Sequence, residues 1–196
     1  MIGFRIRTWK TLAVIILLLR ILTPLLIFFD PFWVALLLGF LDEIDYSFFL
    51  NSQIFTYRKY QQIDKVLDLY YLTALFLASL QWQVTLLAVL YIYRLIGFIA
   101  VYLFKNRKLF LVFPNVFEYL YWPFAYAFTK DYGFLKTLTE NIWLFLIPVF
   151  LIKLYVEYQI HIKNQENFLF RKGFLKRTSW AVHERDKAQN EISSKG

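Results

Sequence analysis

The sequence predicts an all-α, polytopic membrane protein, a bundle of six transmembrane helices. Three observations carry that expectation. Of 196 residues, 59% are hydrophobic, 21% aromatic and only 18% charged, whereas soluble domains use about 45–50% apolar and about 25% charged residues. The apolar residues fall into six stretches, each close to the roughly 20 residues that a helix needs to cross about 30 Å of hydrocarbon. Lys and Arg, finally, gather on alternate connections between those stretches.

In chain order the spans are expected at about 11–29, 31–50, 64–82, 83–104, 109–128 and 142–160, so that residues 1–160 form one membrane domain and 161–196 a basic cytoplasmic tail. The first span follows Arg5, Arg7 and Lys10, as a secretory signal would. Arg20 interrupts it, Pro24 follows, and no small-residue cleavage pattern is present, so it reads as a retained helix. The second carries Asp42, Glu43 and Asp45 near its end, and the third opens with Asp64 and Asp68. Arg94 in the fourth and Glu118 in the fifth lie at similar depth and are expected to pair, because a lone charge in hydrocarbon is costly. Pro114, Pro123 and Pro148 predict kinks, with Asn115 satisfying backbone groups freed beside Pro114. Tyr57, Tyr60, Tyr70, Tyr71, Trp82, Trp122 and Trp143 suit an interfacial aromatic belt. No internal repeat is visible, which counts against a duplicated transporter architecture.

Orientation follows from the basic residues. With the N-terminus inside, sixteen of them face the cytoplasm: Arg5, Arg7, Lys10, Arg58, Lys59, Lys105, Arg107, Lys108 and eight in the tail. Only Lys130 and Lys136 fall outside. The positive-inside rule then puts both termini in the cytoplasm, and the net charge of +8 reads as a topology signal rather than as a nucleic-acid footprint. The tail interleaves Phe168, Phe170, Phe174 and Trp180 with Arg171, Lys172, Lys176 and Arg177, a composition that lies on anionic lipid or anchors the last span.

The absence of cysteine excludes disulfides, thiolate nucleophiles and iron–sulfur clusters, and His161 and His183 are too isolated for a zinc site built by the protein. Chemistry must come from carboxylates, Lys/Arg and hydroxyls. Asp42 and Asp45 are three apart and Asp64 and Asp68 four apart, so each pair shares a helix face, and the Arg58/Lys59 connection puts both pairs on one membrane side. Four converging carboxylates repel one another unless cations sit among them. Oxygen-only donors favour a hard ion such as Mg²⁺, Mn²⁺ or Ca²⁺, and two such ions can clamp a phosphate. The alternative is that the aspartates cap helix ends in the headgroup layer, which suits Asp64 at a helix start and suits Asp42 and Asp45 poorly.

Gly39-Phe40-Leu41-Asp42-Glu43-Ile44-Asp45, followed by Ile63-Asp64-Lys65-Val66-Leu67-Asp68, resembles the signature of the CDP-alcohol phosphatidyltransferase family. Its members carry Asp-x-x-Asp-Gly-x-x-Ala-Arg on one helix and Gly-x-x-x-Asp-x-x-x-Asp on the next. Arg20 and Pro24 resemble the Leu-Arg…Pro pattern of the family's first helix, and Arg94 an arginine often found in its fourth. The similarity covers roughly residues 14–104. It implies a six-helix fold, a homodimer, Mg²⁺ or Mn²⁺ as cofactor, and transfer of a phosphatidyl or related phospho-group from a CDP-linked donor to an alcohol acceptor in phospholipid synthesis. Carried over, Asp42, Asp45, Asp64 and Asp68 would hold the metal ions, and Asp68 would also take the acceptor's proton as general base. Arg94, Lys105 and Arg107 are candidate substrate-binding residues, with Lys105, Arg107 and Lys108 placed to hold a phosphate or simply to form a solvated loop.

The chain departs from the signature at its small residues. Tyr46 and Tyr60 replace the two glycines, Phe49 and Leu50 the alanine and arginine, and bulky groups there would fill or reshape a nucleotide pocket. Two other readings therefore stand beside the transferase: a diverged, non-catalytic membrane protein of the same fold, and a small transporter whose Asp42, Asp45, Asp68, Arg94 and Glu118 line a path.

Overall fold

The computed structural model describes the backbone of residues 2–52, 54–104 and 106–161, and side chains for 8–45, 48–49, 52, 54–56, 59–60, 62–104, 106 and 108–159. Apart from the backbone of His161, the tail expected at 161–196 lies outside the described residues, as do Lys105 and the side chain of Arg107. The chain is all-helical, with no strand among the described residues. The described residues form seven α-helices, α1 Ile2–Leu22, α2 Pro31–Ser52, α3 Tyr57–Ser79, α4 Thr85–Phe104, α5 Val116–Thr129, α6 Tyr132–Glu140 and α7 Ile142–His161, with 3₁₀ turns at Thr23–Phe28, Leu80–Trp82 and Arg107–Leu111.

Among the described residues, three segments are long and apolar enough to cross a membrane: Thr8–Phe28, Thr85–Phe104 and Ile142–Gln159. Their aliphatic side chains face outward, among them Leu18, Leu22, Ile92, Ile96, Leu144 and Leu151, an exposure that soluble proteins avoid over contiguous areas. α2 and α3 have 22 and 23 residues, which is spanning length, but each concentrates charge: Asp42, Glu43 and Asp45 in one, Asp64, Lys65 and Asp68 in the other.

The described residues form two compact units, one from Leu37–Tyr71 and the chain before Leu26, the other from Leu26–Leu36 and the chain from Leu72 to 161. In the first, Ala13, Phe49 and Tyr60 make a buried cluster against which Leu17, Phe48 and Phe55 pack. The Phe49 ring lies 5.6 Å from that of Tyr60 and 5.8 Å from that of Phe55, and Trp9 lies 5.3 Å from Phe48. Two of the bulky residues that depart from the family signature thus form the core joining α2 to α3. Thr56 starts α3 by accepting from the Lys59 amide at 3.4 Å, satisfying a first-turn N–H that has no partner inside the helix.

In the second unit the fifth apolar stretch, expected as one helix over 109–128, is broken. A 3₁₀ turn at Arg107–Leu111 is followed by an irregular connection, and α5 begins only after Pro114. Pro114 disfavours helix in the residue before it. Asn115 then caps the new start, its Oδ1 accepting from the Glu118 amide at 3.5 Å while its Nδ2 donates to the Glu118 carboxylate at 2.7 Å. The expectation that Asn115 satisfies backbone beside Pro114 is met. The 14 residues of α5 reach about 21 Å at 1.5 Å each, and Phe117, Leu120, Tyr121, Phe124 and Ala125 are buried. The break frees the carbonyls of Val112 and Phe113, and α4 answers both: the Tyr93 hydroxyl donates to the first, and the Arg94 guanidinium to the second at 2.6 Å.

α6, expected only as loop, is a short helix capped by Asp131. Asp30 caps α2 ahead of Pro31, accepting from the Trp33 amide at 3.3 Å, and Lys130 donates to it at 2.7 Å, which holds the Asp30 carboxyl below the usual carboxylate range. Pro123 and Pro148 lie inside α5 and α7.

Gly97 lets the broken segment approach α4. A Cβ there would stand 2.5 Å from Cβ of Phe113, closer than carbon atoms approach, and both are anchored to backbone. Gly97→Ala is expected to destabilise the protein by about 1–3 kcal/mol, the usual range for overpacking, seen as a lower melting temperature in detergent. An unchanged melting temperature would show that the 107–115 segment shifts freely.

Candidate functional site

All four aspartates predicted as metal ligands converge in the first unit. Helical spacing puts Asp42 and Asp45 on one face of α2 and Asp64 and Asp68 on one face of α3. What gathers them is Arg20, from α1. Its Nη2 donates to Asp42 at 2.7 Å and Asp68 at 3.1 Å, and its Nη1 donates to Asp45 and, at 3.2 Å, to Asp64. One guanidinium therefore touches four carboxylates on two other helices while only 3% exposed. Arginine suits this task because its planar fork offers five donors and always carries charge. A second cation, Lys65, donates to Asp64 at 3.1 Å and to Asp68 at 2.7 Å, from the outer side of the cluster, with about a third of its side chain exposed.

The carboxylates are not equivalent. Asp45 is fully buried, and both its oxygens are engaged: Oδ2 by Arg20 and Oδ1 by the Tyr60 hydroxyl at 2.8 Å. Asp42 is 39% exposed along its side chain. Asp42, Asp64 and Asp68 each bring one carboxylate oxygen to within 4.8 Å of the other two. An ion with ligands at about 2.1–2.4 Å spans oxygen pairs up to about 4.2–4.8 Å apart. An oxygen-only donor set at this separation has the ligand chemistry of a hard divalent cation, and the same carboxylates already accept from Arg20 and Lys65.

Sequence reasoning found the aspartates but not the two cations among them. It linked Arg20 only to a family pattern, although an arginine interrupting an apolar run calls for an acidic partner; Lys65, flanked by Asp64 and three residues before Asp68, carried a similar signal. Tyr60, expected in the aromatic belt or as a pocket filler, is buried and donates to Asp45. Tyr70, also assigned to the belt, donates to the Ile21 carbonyl at 3.1 Å.

The remaining predicted residues are placed elsewhere. Arg94 belongs to the second unit, 6% exposed, 3.7 Å from the Glu157 carboxylate and with its guanidinium carbon 4.4 Å and 5.0 Å from the ring centres of Phe110 and Phe98. Its partners on view are internal, and Glu157 is a carboxylate that the expected pairing with Glu118 did not include. Lys153, one turn before Glu157, lies over the Tyr119 ring at 4.7 Å. Lys105 and the Arg107 side chain fall outside the described residues.

No family model matches the chain, and no curated protein or solved structure matches it.

Proposed function

We propose that this chain is a multi-pass membrane protein with six crossings and both termini in the cytoplasm, and that its aspartate cluster transfers a phosphatidyl or related phospho-group from a CDP-linked donor to an alcohol, as a diverged relative of the CDP-alcohol phosphatidyltransferases. The single observation that carries this reading is the convergence of Asp42, Asp45, Asp64 and Asp68 from α2 and α3 on one point. α2 and α3 cross the membrane as well as the three apolar segments, their aspartates gathered on Arg20 and Lys65 rather than left singly in hydrocarbon. The broken segment from Arg107 to Thr129 makes the remaining crossing, its free carbonyls satisfied by Tyr93 and Arg94, since irregular backbone is tolerated at membrane depth only inside protein.

Asp42, Asp64 and Asp68 would hold Mg²⁺ or Mn²⁺. When bound, such an ion supplies positive charge to the phosphate oxygens of the donor and to the departing CMP. Arg20 keeps the carboxylates from springing apart. Lys65, with its flexible stem and partial exposure, is placed to leave Asp68 for a donor phosphate, freeing Asp68 to accept a proton. The acceptor oxygen then bonds to phosphorus as the bond to CMP breaks, the electron pair leaves with CMP, and the hydroxyl proton passes to Asp68.

A second reading, a non-catalytic protein of this architecture, is favoured by the two side-chain cations already in the cluster. Purified protein incubated with Mn²⁺, CDP-diacylglycerol and a panel of polyol and amino-alcohol acceptors separates the two. Mn²⁺-dependent release of CMP, lost in Asp64→Asn and Asp68→Asn, is the expected result. No release from any CDP-linked donor would overturn the reaction and leave the second reading.

A further inference from the structure

We propose that α6 is an interfacial helix, lying along the headgroup layer of the non-cytoplasmic leaflet, and that the aromatic side chains around it dock on zwitterionic lipid. The inference rests on the multi-pass membrane reading above and not on the transfer reaction. It names the lipid surface that one end of the second unit is built to meet.

That end is tied together by aromatic rings. Trp82 stacks on Phe128 with ring centres 5.2 Å apart, and Phe128 meets Tyr132 at 6.5 Å. Phe32 of α2 lies 5.3 Å from Tyr126 of α5, which lies 5.9 Å from Phe134 of α6, which lies 6.0 Å from Phe145 of α7. The 9 residues of α6 reach about 14 Å at 1.5 Å each, less than half of the roughly 30 Å of hydrocarbon, so α6 does not cross. Its faces differ. Leu138 is fully buried and Phe134 packs among the rings, whereas Lys136 and Glu140 stand outward. A helix with one apolar face held down and a polar face outward is the form that lies in a membrane interface.

The side chains presented around α6 point to lipid. Phe29, Tyr132, Trp143 and Trp33 are 86%, 74%, 66% and 60% exposed, although such large rings are mostly buried in proteins. They lie where apolar segments stop: Thr8–Phe28 ends just before Phe29, and Ile142–Gln159 begins just before Trp143. Tyr and Trp collect at this level of a bilayer because the ring is apolar and its tip is polar. Charge selects the headgroup. Residues 26–36 and 129–143 carry Asp30, Asp131 and Glu140 against Lys130 and Lys136. Lys130 donates to Asp30 at 2.7 Å, and Lys136 lies 3.9 Å from Glu140. This end therefore has no surplus of positive charge to draw anionic lipid, while the ammonium of a zwitterionic headgroup suits an exposed ring face.

The chain has no cysteine, so one nitroxide can be placed at a time, in Tyr132→Cys, Lys136→Cys and Ile96→Cys, all three on exposed side chains. The full-length protein is reconstituted in phosphatidylcholine vesicles, and electron paramagnetic resonance compares collisions with oxygen, which concentrates in hydrocarbon, and with a water-soluble nickel chelate. Oxygen should dominate at Ile96→Cys, and the oxygen-to-nickel ratio at Tyr132→Cys and Lys136→Cys should fall between that value and the value for the same label free in water. Neither ratio should move when phosphatidylglycerol is added or salt is raised. Water-like ratios at both α6 positions, with oxygen still dominant at Ile96→Cys, would overturn the inference and leave the membrane reading intact. A water-like ratio at Ile96→Cys as well would overturn both. Protection of the α6 labels from both reagents would mean that protein covers this end, and a ratio that shifts with phosphatidylglycerol would mean that it prefers anionic lipid; either overturns the inference. If one α6 variant does not fold, the other decides.

Discussion

Arg20→Met should lower the stability of the detergent-purified protein more than any other single substitution in the first unit, by about 3–5 kcal/mol, the range seen when one partner of a buried ion cluster is removed. The cause is repulsion rather than lost attraction. With Arg20 absent, Asp42, Asp45, Asp64 and Asp68 face one another with Lys65 as the one basic side chain still bound to them among the described residues, and Asp45 has no water to turn to. Arg20→Lys should recover part of the loss, since one ammonium restores the charge but cannot reach four carboxylates with a rigid fork. Arg20→Met combined with Asp45→Asn should also be milder than Arg20→Met alone, because the carboxylate left most deeply buried is then neutral. A thermal-shift series across these variants checks the order. Equal melting temperatures for Arg20→Met and the double variant would mean that Asp45 is not where the repulsion is felt.

A comparable loss is expected in the second unit from Arg94→Leu. That substitution strips Glu157, 4% exposed, of the guanidinium 3.7 Å away, removes the donor to the Phe113 carbonyl, and takes a cation from over the Phe98 and Phe110 rings. Loss of the ion pair and of a desolvated cation–π contact puts the total near 3–5 kcal/mol. Neutralising Glu157 as well, in Arg94→Leu with Glu157→Gln, should recover folded yield without restoring it, because the Phe113 carbonyl still lacks its donor. Yield from the double variant no better than from the single one would show that Glu157 is not what the arginine balances.

The helical class and the apolar segments long enough to cross a membrane were legible because they follow from local pattern. Leu18, Ile96 and Leu144 lie in apolar runs too long for a soluble helix, and those runs are the segments that came out long and apolar enough to cross a membrane. The pairing of aspartates was legible for a related reason. A helix repeats every 3.6 residues, so spacings of three and four put Asp42 with Asp45 and Asp64 with Asp68 whatever the rest of the chain does. The break ahead of α5 was half legible: Pro114 and Asn115 announced a disturbance, but a kinked helix and a new helix look alike in sequence, and the difference depends on whether α4 can satisfy the freed carbonyls.

Sequence by itself therefore determined that the chain is helical, that it holds segments long and apolar enough to cross a membrane, and that four carboxylates lie as two pairs on two helix faces. Only the tertiary structure decided what stands between those pairs. Arg20 meets Asp42 across 22 positions of chain and Asp68 across 48, Tyr60 turns from the aromatic belt to Asp45, and Arg94 meets Glu157 on a helix far along the chain. Such partners are chosen by which helices pack together, and burial drives that packing without direction. The residue that fills the gap between two acidic faces is set by the helix that arrives there, not by the spacing within either face.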